Sequence, residues 1–180
     1  MQKCRWLICL SGAVWLGATS AFAAPAMDAE NVRRQVGLKV GQWHTTIRIT
    51  GAEATPATPG GAVPDNVRSE LQKKIGTPIE TDDCMGTRGS ANGDLILPGI
   101  SIAADCTLSN VHATTSSLAL DSVCGSASGG FEARTGVQAT ISDTTMNARV
   151  QATILSRDSG IITHLTISTS SKYVGDCRLR

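Results

Sequence analysis

The chain has 180 residues, of which sixteen are basic and fifteen acidic, so its formal net charge is +1 at pH 7. Only 3% of the residues are aromatic. A near-neutral chain without a basic run lacks the positive surface to which nucleic acids and anionic lipids bind. A chain with so few aromatic rings also offers no platform on which bases could stack. We therefore expect no nucleic-acid partner.

Residues 1–23 have the pattern of a secretion signal. Lys3 and Arg5 precede a mostly apolar stretch from Trp6 to Leu16, and Ala21-Phe22-Ala23 supplies small residues at the two positions that a signal peptidase reads. The apolar stretch is shorter than the roughly 20 residues of a membrane-spanning helix. We expect cleavage after Ala23, no integral membrane segment in the mature chain, and a periplasmic or secreted location. An uncleaved anchor is the alternative.

The first half of the mature chain predicts a strand and two helices. Residues 29–36 form a weak helical pattern, and residues 43–50 alternate apolar and polar side chains, which is typical of a half-buried strand. Residues 51–63 contain prolines and no periodicity, so we predict a flexible loop. Residues 65–75 carry an apolar side chain at every fourth position and are followed by Gly76, which predicts a short amphipathic helix.

The second half is dominated by strand patterns. Residues 94–102 predict a weaker strand interrupted by Pro98-Gly99, and residues 106–124 predict a hairpin that turns near Thr114 to Ser117. Clear alternation predicts three further strands, over residues 131–141, 146–154 and 161–171. The connections between them are short and rich in turn-forming residues, which predicts antiparallel pairing.

These elements predict a single all-β domain over residues 24–180. We expect an antiparallel, mostly up-and-down sheet of about six to eight strands, curved into a barrel or half-barrel and accompanied by one or two short helices. One face of such a sheet is apolar and must be covered. The helix over residues 65–75 is the predicted cover.

Four cysteines follow the predicted signal: Cys84, Cys106, Cys124 and Cys177. The nearest two are eighteen residues apart, whereas redox pairs and zinc sites use short spacings. In an exported chain we therefore expect structural disulfides that staple the domain. If residues 106–124 form a hairpin, its two ends lie opposite each other. This pairs Cys106 with Cys124 and leaves Cys84 with Cys177.

Several motifs together carry a family resemblance. Gly41-Gln42-Trp43 opens the first strand, the four cysteines follow, and Gly175-Asp176-Cys177 stands at the end of the last strand. In this order and spacing the chain resembles the small exported bacterial proteins grouped as domain of unknown function 3617, from about residue 37 to residue 177. The resemblance implies a periplasmic β-rich protein, and it implies no reaction.

No other residues form a recognisable catalytic or metal-binding motif. His44, His112 and His164 are scattered along the chain, and we expect them to be exposed surface residues rather than metal ligands or bases. Asp82-Asp83 indicates a solvated turn before the first of the four cysteines. Trp43 is expected in the core, with the edge of an apolar pocket as the alternative. We predict no catalytic residue, no metal and no cofactor.

Two functional hypotheses from different classes remain. The first is a non-enzymatic envelope protein that binds a small apolar ligand or another envelope component. The second is a hydrolase-like periplasmic enzyme whose site is assembled only in the fold. An apolar pocket without convergent polar groups favours the first, whereas two carboxylates, or a serine and a histidine within hydrogen-bond reach in one cleft, favour the second.

Overall fold

The computed structural model describes residues 29–86, 94–125 and 129–177. The predicted secretion signal and its cleavage site lie outside these residues. In chain order the described residues form α1 (Ala29–Gln35), β1 (Gly41–Pro56), α2 (Asp65–Lys74), β2 (Pro78–Met85), β3 (Leu95–Leu97), β4 (Ile100–Ile102), β5 (Thr107–Ala113), β6 (Ser117–Gly125), β7 (Phe131–Ile141), β8 (Thr145–Ser156) and β9 (Ile161–Gly175).

Seven strands form one antiparallel sheet, in the order β2-β1-β9-β8-β7-β6-β5. Strands β5 to β8 each pair with the next strand of the chain, as the short predicted turns require. Strand β1 pairs with β9 along its length, which joins the beginning of the domain to its last strand. The predicted all-β, antiparallel fold is confirmed. Strands β2 and β5 are the edges of the sheet, which is therefore open rather than a closed barrel.

The core lies on one face of this sheet, which we call the inner face. Alternate side chains of each strand point to it, and Trp43, Leu118 and Met146 are at most 2% exposed there. Helix α1 adds Val32 to the same apolar cluster, and the hairpin of β3 and β4 adds Leu95. These two elements therefore cover the inner face.

Helix α2 forms where the sequence predicts it, but the prediction that it covers the core is wrong. None of its residues is buried, and it packs on β1. Val67 and Leu71 are its only apolar residues, and both are half-buried. Two such side chains cannot shield a seven-stranded sheet. The helix ends beside the sheet, where the backbone N–H of Gly76 donates to Ile49 O at 2.8 Å.

The prediction of a flexible loop over residues 51–63 is wrong for its first part. Residues 51–56 continue β1 and pair with β9 from Thr166 down to Ile161. The register shifts between Ile49 and Gly51, so a bulge interrupts the alternation that a sequence pattern would show. The inner-face residues beyond the bulge, Ala52 and Ala54, are too small to give a strong apolar signal. Long-range pairing with β9 decides this segment.

Strands β3 and β4 form a separate two-stranded sheet, joined by the turn Pro98-Gly99 that interrupts the predicted strand. Gly99 has φ +71°. Glycine adopts this left-handed conformation at little cost, and proline before it is the usual partner in a type II turn. The side chain of Asp94 accepts a hydrogen bond of 2.9 Å from the backbone N–H of Ala104, which links the two ends of the hairpin.

Two disulfides join the four cysteines, and they connect the pairs expected from the sequence. Cys106 and Cys124 lie at the open ends of β5 and β6, with their Cα atoms 4.3 Å apart. Cys84 in β2 bonds to Cys177 beyond β9, with a Cα separation of 5.6 Å, although β1 lies between these two strands. Disulfides of this kind indicate an oxidising compartment. Within the described ranges, no helix has the length and apolar character needed to cross a bilayer.

Candidate functional site

A cavity of about 600 Å³ lies between the β3–β4 hairpin and the inner face of the sheet. We call it the hairpin cavity. Strand β4 forms one wall, and strands β1, β6, β7, β8 and β9 form the other. Its apolar walls come mainly from six side chains: Ile47, Ile100, Ile102, Val137, Val150 and Ile167. The volume is within the range of cavities that hold small molecules.

The hairpin is held over the sheet by a short chain of buried hydrogen bonds. The hydroxyl of Thr45 donates to Ser171 Oγ at 2.9 Å, and the hydroxyl of Ser171 donates to Pro98 O at 3.3 Å. Thr45 and Ser171 are no more than 3% exposed. Because these groups are shielded from water, their mutual hydrogen bonds are needed to offset the cost of burial. The turn of the hairpin is thus fixed above β1 and β9.

One end of the hairpin cavity reaches the surface, and we call it the mouth. Phe131 lines the cavity there and is 46% exposed. Asp105, which is also exposed, and the disulfide between Cys106 and Cys124 line the same end. An exposed aromatic ring beside an apolar cavity gives an apolar molecule a first contact as it leaves water.

Two hydroxyl groups in the cavity lining have no hydrogen-bond partner. Ser122 is 2% exposed and Thr169 is 4% exposed. Their Oγ and Oγ1 atoms are the only buried side-chain oxygen or nitrogen atoms without a partner in the described part of the chain. Both residues line the hairpin cavity. A buried hydroxyl without a hydrogen-bond partner costs free energy of folding, and such groups are rare in folded proteins.

Trp43, the residue considered for a pocket edge, lies in the core. Its side chain is fully buried, its Nε1–H donates to Lys39 O at 2.9 Å, and its ring meets Tyr173 edge to face at 6.0 Å between centroids. The hairpin cavity is lined by other residues. Sequence reasoning missed Ser122, Asp105 and the β4 isoleucines, because a strand pattern shows which side chains are apolar but not which of them face a cavity.

The three histidines are exposed, as expected, and lie on the outer face of the sheet. The ring of His44 is 2.9 Å from Asp82 Oδ1 through Nδ1 and 3.0 Å from Glu80 Oε2 through Nε2. The hydrogen bond to Asp82, followed by the charges of Asp82 and Glu80, raises the pKa of His44 above 6.5. Asp82 is thus a strand residue of β2 that pairs with a histidine, not part of a turn.

The other two histidines have different surroundings. His164 lies 3.1 Å from Thr153 Oγ1 through its Nδ1 atom, and His112 lines an outer-face groove with Asp121 and Arg149. No group of three or more potential ligands with metal-binding geometry occurs among residues 29–86, 94–125 and 129–177.

The hairpin cavity does not bring together the groups that hydrolysis would use. Among the described residues that line the cavity, Asp105 has the one carboxylate, and none is a histidine. A serine hydroxyl needs a nearby base to act as a nucleophile. The Ser122 hydroxyl has no hydrogen-bond partner in the described structure. The arrangement can enclose an apolar molecule and offer it a few hydroxyl contacts.

Comparison with known families shows to which family the chain belongs. A model for proteins described as "Protein of unknown function (DUF3617)" matches residues 38–177. The chain belongs to this family. The match begins just before β1 and ends at Cys177, so it includes the whole sheet, both disulfides and the hairpin cavity. No curated protein and no solved structure matches the chain.

Proposed function

We propose that this family member is a non-enzymatic binding protein of the periplasm that holds a small apolar ligand in the hairpin cavity. The observation that carries the proposal is the cavity itself: about 600 Å³, walled by aliphatic side chains and open beside the exposed ring of Phe131. Burial of apolar surface contributes roughly 25 cal/mol per Å² to binding of such a ligand. The expected secretion signal and the two disulfides support the proposed location.

The construction of the cavity also favours binding over catalysis. The hairpin is fixed to the sheet through Pro98 and Gly99, so the cavity exists before a ligand enters. A preformed site avoids the free-energy cost of ordering a loop at each binding event. Apart from the exposed Asp105 carboxylate at the mouth, the polar side chains of the lining are hydroxyls, which position a ligand without supplying acid–base chemistry.

A fluorescent apolar probe tests this function. N-phenyl-1-naphthylamine is neutral and becomes bright in an apolar environment. We expect saturable fluorescence enhancement with the oxidised mature protein and loss of most of it in Ala133→Trp, because Ala133 is a half-buried lining residue whose enlargement fills the cavity. Gln138→Trp is the matched control, since Gln138 is exposed on the outer face of the same strand.

The outcomes separate the two functional classes. Equal probe binding by wild type and Ala133→Trp, with both proteins folded by circular dichroism, contradicts the proposal. Mass spectrometry of molecules that co-purify with protein from its native compartment identifies the physiological ligand. We expect an apolar compound with wild type and its loss with Ala133→Trp.

A further inference from the structure

The unpaired hydroxyls of the hairpin cavity differ in their surroundings. Ser122 on β6 lies opposite Thr135 on β7, and both line the cavity. Two residues further along the same face of β6 is Cys124, whose disulfide to Cys106 stands next to Asp105. Ser122 therefore lies just inside the mouth, where the polar lining residues are concentrated.

Thr169 lies at the opposite end, where it is 4% exposed and Ile100 is 7% exposed. The turn glycine Gly99 stands over it, and a Cβ atom on Gly99 would be 3.4 Å from Thr169 Cβ. Its cavity neighbours include Ile47 and Ile100, which are apolar. The strand register separates Thr169 from Ser122 by three strand spacings, roughly 14 Å, and by four residues along β9. One small polar group cannot contact both hydroxyls.

We propose that the ligand is an amphiphile with a neutral hydroxyl group at one end, and that this group binds Ser122 at the mouth while the apolar chain runs inward toward Thr169. The inference rests on the proposed function and names the class of ligand. A hydroxyl on the ligand pairs with the buried Ser122 oxygen, which removes the cost of leaving that atom unpaired. The aliphatic walls formed by Val137, Val150 and Ile167 accept the chain.

The charge of Asp105 decides between a neutral and an anionic end group. Its carboxylate is the one formal charge among the described residues that line the cavity, and it lies at the mouth. A ligand carboxylate placed beside it meets like-charge repulsion. A hydroxyl group meets no repulsion and can donate to the Asp105 oxygens. The site thus selects alcohols over fatty-acid anions of equal length.

Competition against N-phenyl-1-naphthylamine measures this selectivity with two probes, 1-decanol and decanoate at pH 7.5. We expect 1-decanol to displace the fluorophore from wild type at lower concentration than decanoate. Ser122→Ala should lower the affinity for 1-decanol by about tenfold. This corresponds to ~1.4 kcal/mol, the net value of one buried hydrogen bond. Asp105→Asn should raise the affinity for decanoate, relative to that for 1-decanol, at least about threefold, because only the carboxylate repels an anion.

Thr169→Val is the matched control, because it removes an equally buried and unpaired hydroxyl from the other end of the cavity. We expect it to lower the affinity for 1-decanol by a smaller factor than Ser122→Ala does, because the apolar end of the ligand makes no hydrogen bond with Thr169. Without ligand, both Ser122→Ala and Thr169→Val should melt at or above the temperature of wild type, since each removes an unpaired polar group.

Several results would overturn the inference while leaving apolar binding intact. One is an affinity for 1-decanol that is unchanged in Ser122→Ala or equally lowered in Thr169→Val, and another is a preference of wild type for decanoate. A third is a lower melting temperature of Ser122→Ala, which would show that its hydroxyl has a structural partner. Failure of the fluorophore itself to bind, or its indifference to Ala133→Trp, is a different result and contradicts the proposed function.

Discussion

Gly99 in the hairpin turn lies directly on Thr45 in β1, so closely that a Cβ atom on Gly99 would be 2.6 Å from Thr45 Cγ2. Gly99 also has a φ of +71°. The absence of a side chain therefore serves two purposes here: it permits the turn, and it lets the hairpin approach the sheet.

Gly99→Ala should destabilise the protein by about 2–4 kcal/mol, because it adds a steric conflict with Thr45 to the cost of a left-handed alanine. Gly160→Ala is the matched control: Gly160 has φ +62° and open space around its Cβ position. That variant should cost only about 1 kcal/mol. Urea denaturation followed by the fluorescence of Trp43 measures both. Equal losses would show that the close contact with Thr45 contributes nothing.

Ser171 is expected to contribute to holding the hairpin on the sheet. Ser171→Ala leaves both Thr45 Oγ1 and Pro98 O without their buried partner, so we expect a loss of about 1–3 kcal/mol in the free energy of unfolding. Ser170→Ala is the control on the same strand, because Ser170 is exposed. Hydrogen exchange of the β3 and β4 amides should accelerate in Ser171→Ala and stay unchanged in Ser170→Ala.

The two disulfides should differ in their effect on stability. The Cys84–Cys177 bond spans 93 residues and the Cys106–Cys124 bond spans 18. On the chain-entropy model the longer loop stabilises by about 1.5 kcal/mol more. Guanidinium denaturation of the double variants Cys84→Ala/Cys177→Ala and Cys106→Ala/Cys124→Ala measures this difference. Non-reducing peptide mapping tests the pairing, and a peptide that links Cys84 to Cys106 or Cys124 contradicts it.

His44 should give the protein a pH-dependent stability. Its pKa in the folded protein is raised above 6.5, first by the hydrogen bond to Asp82. The stabilisation is therefore complete below about pH 6.5 and is lost as the pH rises through the folded-state pKa. An NMR titration of the imidazole should show a lower pKa for His44 in Asp82→Asn. Asp83→Asn is the control, and an equal shift in both variants would exclude a specific pair.

Local sequence patterns predicted the secondary structure correctly where a segment's own side chains alternate clearly between apolar and polar. The alternation over residues 131–141 matches β7 residue for residue, and the hairpin predicted between Cys106 and Cys124 forms as β5 and β6. The same hairpin geometry led to the expected cysteine pairs. Such features depend on strand periodicity and short turns, which a sequence shows directly.

The sequence by itself determined the class of fold, the antiparallel order of the later strands and the exposed histidines, because each follows from residues close together in the chain. Only the tertiary structure decided that residues 51–56 are a strand, that α1 and the β3–β4 hairpin cover the inner face, and that Ser122 and Thr169 line one cavity. These features arise from contacts between segments far apart in sequence. Their energies come from packing and burial across the sheet, which no local pattern records.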